Sequence, residues 1–243
     1  MRETVGLPAG ITACLFDLDG VLTNTAELHR KAWKATFDEF LRARDGEDFS
    51  PFTEDDYLRY VDGRLRVDGV RGFLDSRGIS LPEDGAGGDS PTAVATRKND
   101  LLEKVITEQG VTPYPGSLRY LEAVERAGLA IGVVTSSANG ERVLEAADLS
   151  RFVRVRIDGV VIERDGLRGK PAPDAFLAGA RGLGVEPGRA AVFEDALSGV
   201  EAGRAGGFGH VVGVDRTGQA AALHDHGADV VVPDLAELLE PAP

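Results

Sequence analysis

The chain of 243 residues carries 40 acidic against 27 lysine and arginine side chains, a formal net charge of −13, and one cysteine. Its length can enclose a sizeable core in one or two domains, and its 42% hydrophobic and 28% charged content is that of a globular protein. One cysteine excludes a disulfide framework and a cysteine zinc site, and the acidic balance argues against nucleic acid or anionic membrane as partners. No stretch approaches the roughly 18 apolar residues of a membrane span, and the N-terminal stretch lacks a basic-then-apolar secretion pattern. The expectation is therefore a protein of the reducing cytoplasm. The same acidity is a poor match for an anionic small substrate.

In chain order, the first apolar run is Ile11–Phe16 (ITACLF), followed at once by Asp17-Leu18-Asp19-Gly20. From about Ala26 to Thr112 the pattern is helical. The first helix is expected to start near Thr25, with Trp33, Phe37, Phe40 and Leu41 spaced for one apolar face. Pro82–Thr92 (PEDGAGGDSPT) reads as an exposed loop, and Tyr114-Pro115-Gly116 marks the return to a different texture. Beyond it come the apolar runs Leu129–Thr135, Arg189–Phe193, Gly209–Val214 and Asp229–Val232. Segments suited to crossover helices lie around Asn139–Asp148, Asp174–Leu183, Leu197–Ala205 and Gln219–His226. Near-continuous apolar strands alternating with helices predict a Rossmann-like α/β core with a parallel sheet covered on both faces. The predicted core comprises 1–25 and 113–243, with 26–112 inserted after the first strand as a helical cap. Ligands of such sheets bind beyond the carboxyl ends of the strands.

Asp17 and Asp19, separated by one residue at a strand end, suit a magnesium ion and a phosphate, because hard cations take oxygen ligands. An EF-hand fails here, since Leu22 stands where its glycine belongs and Leu28 where its final glutamate belongs. Thr135, Ser136 and Ser137 follow the second run and can donate hydroxyl hydrogen bonds to a phosphate oxygen. Lys170, ahead of Pro171-Ala172-Pro173-Asp174, offers a point positive charge. Glu194-Asp195 is a second acidic pair at a second strand end. Four carboxylates, one lysine and one hydroxyl form the inventory of a magnesium-assisted phosphoryl-transfer site. No P-loop is present, so a nucleophilic aspartate remains the way to accept the phosphoryl group. Cys14 reads as packing, His224 and His226 point apart, and Trp33, Phe37 and Phe40 read as core.

In this order the four segments resemble the haloacid dehalogenase superfamily of phosphotransferases along essentially the whole chain. The resemblance implies that Asp17 is the nucleophile forming an aspartyl-phosphate and Asp19 the general acid/base. It also implies that Thr135 and Lys170 bind the phosphoryl group, while Glu194 and Asp195 complete a Mg2+ site with Asp17 and Asp19. Asp19 separates the chain from dehalogenases, which lack this second acid. Asp17 to Trp33 (DLDGVLTNTAELHRKAW) is similar to the start of the β-phosphoglucomutase-like subgroup. There Thr25 falls at the hinge and His29 where a cap histidine couples substrate binding to the acid/base. Lys98 falls where a lysine reaches the sugar phosphate, and Ser136 and Asn139 lie in the hydroxyl motif. Closure of the cap is implied to keep water from the phosphoaspartate.

Two departures lie on the substrate side. Where the subgroup has Gly-Val-Ser-Arg, this chain has Gly63-Arg64-Leu65-Arg66, leaving either Arg64 or Arg66 to meet a distal phosphate. Ala138 stands in place of a lysine. The expected activity is interconversion of β-glucose 1-phosphate and 6-phosphate through a bisphosphate. A sugar-phosphate phosphatase is the alternative, and a non-catalytic phosphate-binding protein is disfavoured by the intact acidic set. A monomer is expected, with a dimer as the other option. Leu58–Arg77 carries five arginines against three aspartates, a local cationic excess that would answer the anionic substrate.

Overall fold

A computed structural model of the protein describes residues 5–83, 85 and 89–239. The chain divides into two compact units, Met1–Asn24 with Val111–Pro243, and Thr25–Gly110.

The first unit is built on six strands: β1 Ala13–Phe16, β2 Ala130–Val134, β3 Val155–Ile157, β4 Ala190–Glu194, β5 His210–Val214 and β6 Val230–Val232. They pair in parallel in the order β3-β2-β1-β4-β5-β6. β1, β2 and β4 are buried along their whole length, which is why their sequences are unbroken apolar runs. β1 lies between β2 and β4, with Phe16 opposite both Val133 and Phe193. The chain winds outward on one side to β3 and then restarts on the other side at β4. The carboxyl ends of β1 and β4 therefore flank the switch point, where ligands of open α/β sheets bind.

Close packing holds the sheet to its helices. A Cβ at Gly179, in the helix Asp174–Leu183, would press on Val134 and Leu15, so the absent side chain lets that helix sit against β1 and β2. On the other side Phe16 stacks on Phe193 at 4.3 Å between ring centroids, and Tyr120 tilts against Phe193 at 5.4 Å. The buried Tyr120 hydroxyl donates to the Val5 carbonyl at 2.8 Å.

β2 ends at Val134, so Thr135 follows the strand as expected. Three details differ from expectation. β3 and the helix Gly159–Arg164 carry no sequence signal, because β3 is a three-residue edge strand with Arg156 at its centre. Thr25 is the first helical residue, leaving Asn24 ahead of the helix with its side chain accepting from the Thr112 N–H at 3.2 Å. The Ser90 hydroxyl caps the helix Pro91–Gln109, so Pro91 and Thr92 are helical, while 84 and 86–88 of the expected loop lie outside the described residues.

The second unit packs Thr25–Asp45, Arg66–Ser76 and Pro91–Gln109 with the short Glu54–Asp56 helix, which continues into a wide turn at Tyr57–Val61. Its core is aromatic: Phe37 lies 5.1 Å from Trp33, 4.9 Å from Phe52 and 4.3 Å from Phe73. The arginine excess of Leu58–Arg77 is reduced by acids on both sides of that window. Arg59 pairs with Asp55, Arg77 with Asp56 and Arg71 with Glu83, each at 2.8 Å. Among the described residues no helix is long and apolar enough to cross a membrane.

Phe193 is fully buried and contacts two aromatic rings, so Phe193→Ala should cost about 3–5 kcal/mol of unfolding free energy, read by urea denaturation.

Candidate active site

Asp17 is the first residue past β1, and its backbone N–H donates to the Phe193 carbonyl of β4 at 2.9 Å. Glu194 ends β4. The parallel register thus delivers two carboxylates side by side from segments far apart in sequence. Lys170 Nζ reaches both, at 2.5 Å from Asp17 Oδ1 and 2.5 Å from Glu194 Oε1, and donates a third hydrogen bond to the Val134 carbonyl at 3.2 Å. The ammonium also lies 5.0 Å from the Phe176 ring centroid. Lys170, Asp17 and Glu194 are all buried.

Lys170 is held in place from below. Arg168 binds Asp174 in a two-pronged pair, at 2.7 and 2.9 Å, closing the turn that carries the lysine into the helix Asp174–Leu183. The second Glu194 oxygen accepts the Ala196 N–H at 3.0 Å. Gly199 lies against this carboxylate, where any Cβ would overlap it.

Burial pushes the Asp17 carboxyl well above its usual range; Lys170 opposes this, and Glu194 and Asp19 reinforce it. Burial also works against the Lys170 charge, but Asp17 and Glu194 outweigh it and hold the ammonium above its ordinary value. One cation thus faces a surplus of negative charge.

Asp19 lies in the turn after Asp17. Gly20, at φ 92°, bends this turn back, its N–H donating to the Thr23 carbonyl at 2.9 Å. Asp19 Oδ2 accepts the Thr135 hydroxyl at 3.0 Å. The Thr135 oxygen in turn accepts the Ser137 N–H at 3.1 Å, and the Ser137 oxygen accepts the Asn139 N–H at 3.2 Å. Ser136 and Asn139 are buried in the same turn. A Cβ at Gly159 would strike the Ser136 carbonyl, so that glycine lets the β3 segment support the hydroxyl turn. Asp195 has its backbone carbonyl held by the Gln219 side chain at 3.0 Å.

The structure therefore joins Asp17, Glu194 and Lys170 in one cluster and Asp19 to Thr135. Among the described residues no three acid, imidazole or thiol side chains converge as a ready-made metal cluster. The acids nonetheless present only oxygen donors, the kind a hard divalent cation takes, around a charge surplus that one lysine leaves unbalanced.

Within the second unit Lys98 is fully buried, 3.1 Å from His29 Nδ1 and 4.9 Å from the Trp33 ring centroid. Thr25 is buried, while Arg64 and Arg66 are half-exposed, on either side of Leu65 where the helix Arg66–Ser76 begins. Sequence reasoning missed Arg168, Gln219 and the glycines at 159 and 199. Only contacts formed in the fold identify them.

The family model for haloacid dehalogenase-like hydrolase matches residues 11–207. A β-phosphoglucomutase of Mycobacterium tuberculosis is 56% identical over 98% of this chain and 95% of that protein. A validoxylamine A 7'-phosphate phosphatase of Streptomyces hygroscopicus is 31% identical over 93% of this chain and 95% of that protein. Among solved structures, a Clostridium difficile β-phosphoglucomutase superposes with a TM-score of 0.77 at 26% identity, covering 94% of this chain and 93% of that one.

Removing the shared cation strands two buried carboxylates. Lys170→Met should cost about 3–5 kcal/mol at neutral pH. Without the ammonium the folded-state Asp17 carboxyl rises further above its unfolded value. The deficit should therefore be smallest at low pH, where Asp17 is protonated in both states, and grow as pH rises. Urea denaturation of wild type and variant at pH 5.5 and 8, with no divalent cation, reads the difference.

Proposed function

Because this chain belongs to the haloacid dehalogenase-like hydrolase family, we propose that Asp17 accepts a phosphoryl group as an aspartyl-phosphate and that the substrate is β-glucose 1-phosphate, converted to glucose 6-phosphate through the 1,6-bisphosphate. The observation that carries the chemical step is the buried Asp17–Lys170–Glu194 cluster at the switch point of the sheet. The sugar assignment is supported by the near-full-length likeness to a β-phosphoglucomutase.

In this reading an Asp17 oxygen attacks phosphorus while the bond to the leaving oxygen breaks, and Asp19 delivers a proton to that oxygen. With the 1,6-bisphosphate as donor this step releases glucose 6-phosphate; Asp19 then takes a proton from the 6-hydroxyl of the next β-glucose 1-phosphate as that oxygen attacks the aspartyl-phosphate, which remakes the bisphosphate and frees Asp17. Lys170 binds the transferring group while keeping Asp17 and Glu194 adjacent. The one Thr135 hydroxyl proton, which holds Asp19 in this structure, turns to a phosphate oxygen when substrate binds, with Ser136 and Asn139 beside it. Asp17, Asp19, Glu194 and Asp195 would hold a magnesium ion, which when bound neutralises charge on the phosphoryl oxygens. In the inserted unit Lys98, with Arg64 or Arg66, supplies cations for the distal phosphate. His29, beside Lys98, couples the bound sugar to the acid/base, and Thr25 stands at the hinge. The partner is a phosphorylated sugar in the cytoplasm, and a monomer suffices.

The 31% identical phosphatase relative favours a second reading, hydrolysis of a sugar phosphate with the same Asp17 and Asp19. The deciding assay supplies β-glucose 1-phosphate, magnesium and a bisphosphate primer, and follows glucose 6-phosphate against inorganic phosphate. Glucose 6-phosphate should dominate; phosphate release without isomerisation replaces the mutase with the phosphatase. Asp17→Asn should abolish both products, and chelation of magnesium should do the same reversibly. Lys98→Ala should lower mutase turnover about 10–100-fold, the worth of a hydrogen bond to a charged group, while hydrolysis of a small aryl phosphate changes far less.

A further inference from the structure

We propose that Arg216 is a positioning residue for Asp19, holding the acid-bearing turn through the Gly20 carbonyl. The inference rests on the reading above, in which Asp19 moves the proton.

Arg216 lies two residues past β5, in a loop whose backbone one carboxylate organises. Asp215 accepts the N–H groups of Thr217, Gly218, Gln219 and Ala220, at 3.2, 2.7, 2.8 and 3.1 Å. From this fixed base Arg216 Nε donates to the Gly20 carbonyl at 3.0 Å, across 196 positions of sequence. Its Nη1 donates to the Pro233 carbonyl at 2.8 Å and to Asp234 Oδ2 at 3.3 Å. The guanidinium carbon lies 3.9 Å from the Tyr114 ring centroid, on the segment whose N–H bonds the Leu22 carbonyl of the same acid turn. The anchor is itself locked. Asp234 Oδ1 accepts the Ala236 N–H at 2.9 Å, and its carboxylate lies against Gly116, where a Cβ would overlap it.

Arg216 uses its donors differently from surface arginines of this chain. Arg59 and Arg164 pair with carboxylates near in sequence and exposed, contacts worth little. Arg216 has a side chain only 18% exposed, and it grips two backbone carbonyls from distant segments. The position it grips is the turn's positive-φ glycine, directly after Asp19, where the backbone has most freedom to drift. The same loop reaches the other acidic turn through Gln219 and the Asp195 carbonyl. Proton transfer needs Asp19 within about 2.6–3.2 Å of the leaving oxygen, and a displacement of about 1 Å can cost about 100-fold.

A positioning role separates donors by leaving group. A sugar alkoxide needs a proton as its bond to phosphorus breaks, and Asp19 supplies it. A nitrophenolate leaves without one. The test is single-turnover phosphorylation of Asp17, with magnesium, by β-glucose 1,6-bisphosphate and by p-nitrophenyl phosphate, in wild type, Arg216→Gln and Arg216→Lys. Arg216→Gln should slow transfer from the bisphosphate about 30–100-fold but the p-nitrophenolate burst by less than about threefold. Arg216→Lys, keeping charge and one donor, should fall between. Equal loss with both donors, or no loss with either, overturns the proposal. If Arg216→Gln does not fold, the same comparison in Arg216→Lys decides it. A wild-type burst that survives Asp17→Asn overturns the phosphoryl-enzyme reading instead, whatever Arg216 does.

Discussion

The site depends on one buried ammonium. Lys170 is the shared cation between a carboxylate that follows β1 and another that ends β4, and it is tied to the last residue of β2 as well. Two carboxylates this close and this buried would not both stay ionised alone. Lys170 bridges them and works against the burial of Asp17, and the all-oxygen set of acids suits a hard divalent cation. The supporting features follow from that constraint. Arg168 and Asp174 close the turn that aims the lysine. Gly199 leaves room for the Glu194 carboxylate, and Gly179 lets the helix after Lys170 lie close on β1 and β2.

Around this centre the chain divides labour by loop. The turn after β1 carries Asp17 and Asp19, the turn after β2 the hydroxyl that meets Asp19, and the end of β4 the second acidic pair. The loop after β5 carries no acid of the candidate site, yet it binds the backbone of both acidic turns through Arg216 and Gln219. Fixing carbonyl oxygens leaves the carboxylates available for chemistry, whereas pairing them directly with arginine would neutralise them. The acidity of the whole chain is thus a poor guide to the site. Its −13 is an average, while the carboxylates after β1 and β4 enclose the buried ammonium of Lys170.

Much of the fold was legible because it is written in local pattern. Asp174–Leu183 and Leu197–Ala205 form helices with the expected bounds, and five of the six strands follow from unbroken apolar runs. β3 was not legible, since an edge strand with a charged centre leaves no such run. The arginine cluster at Leu58–Arg77 misled in the opposite direction. Counted along the chain it is a cationic surplus, but Asp55, Asp56 and Glu83 lie just outside the counted window and fold onto it.

By itself the sequence determined the α/β class, the inserted helical segment and the residue types that follow each central strand. Hydrophobic period and turn chemistry are properties of neighbours along the chain, and they survive without knowledge of the fold. Only the tertiary structure decided that β1 lies between β2 and β4. It alone joined Lys170 to acids 153 and 24 residues away, and Arg216 to a carbonyl 196 residues away. Those choices come from long-range pairing and burial, where a charge becomes costly unless a partner from another segment arrives to meet it.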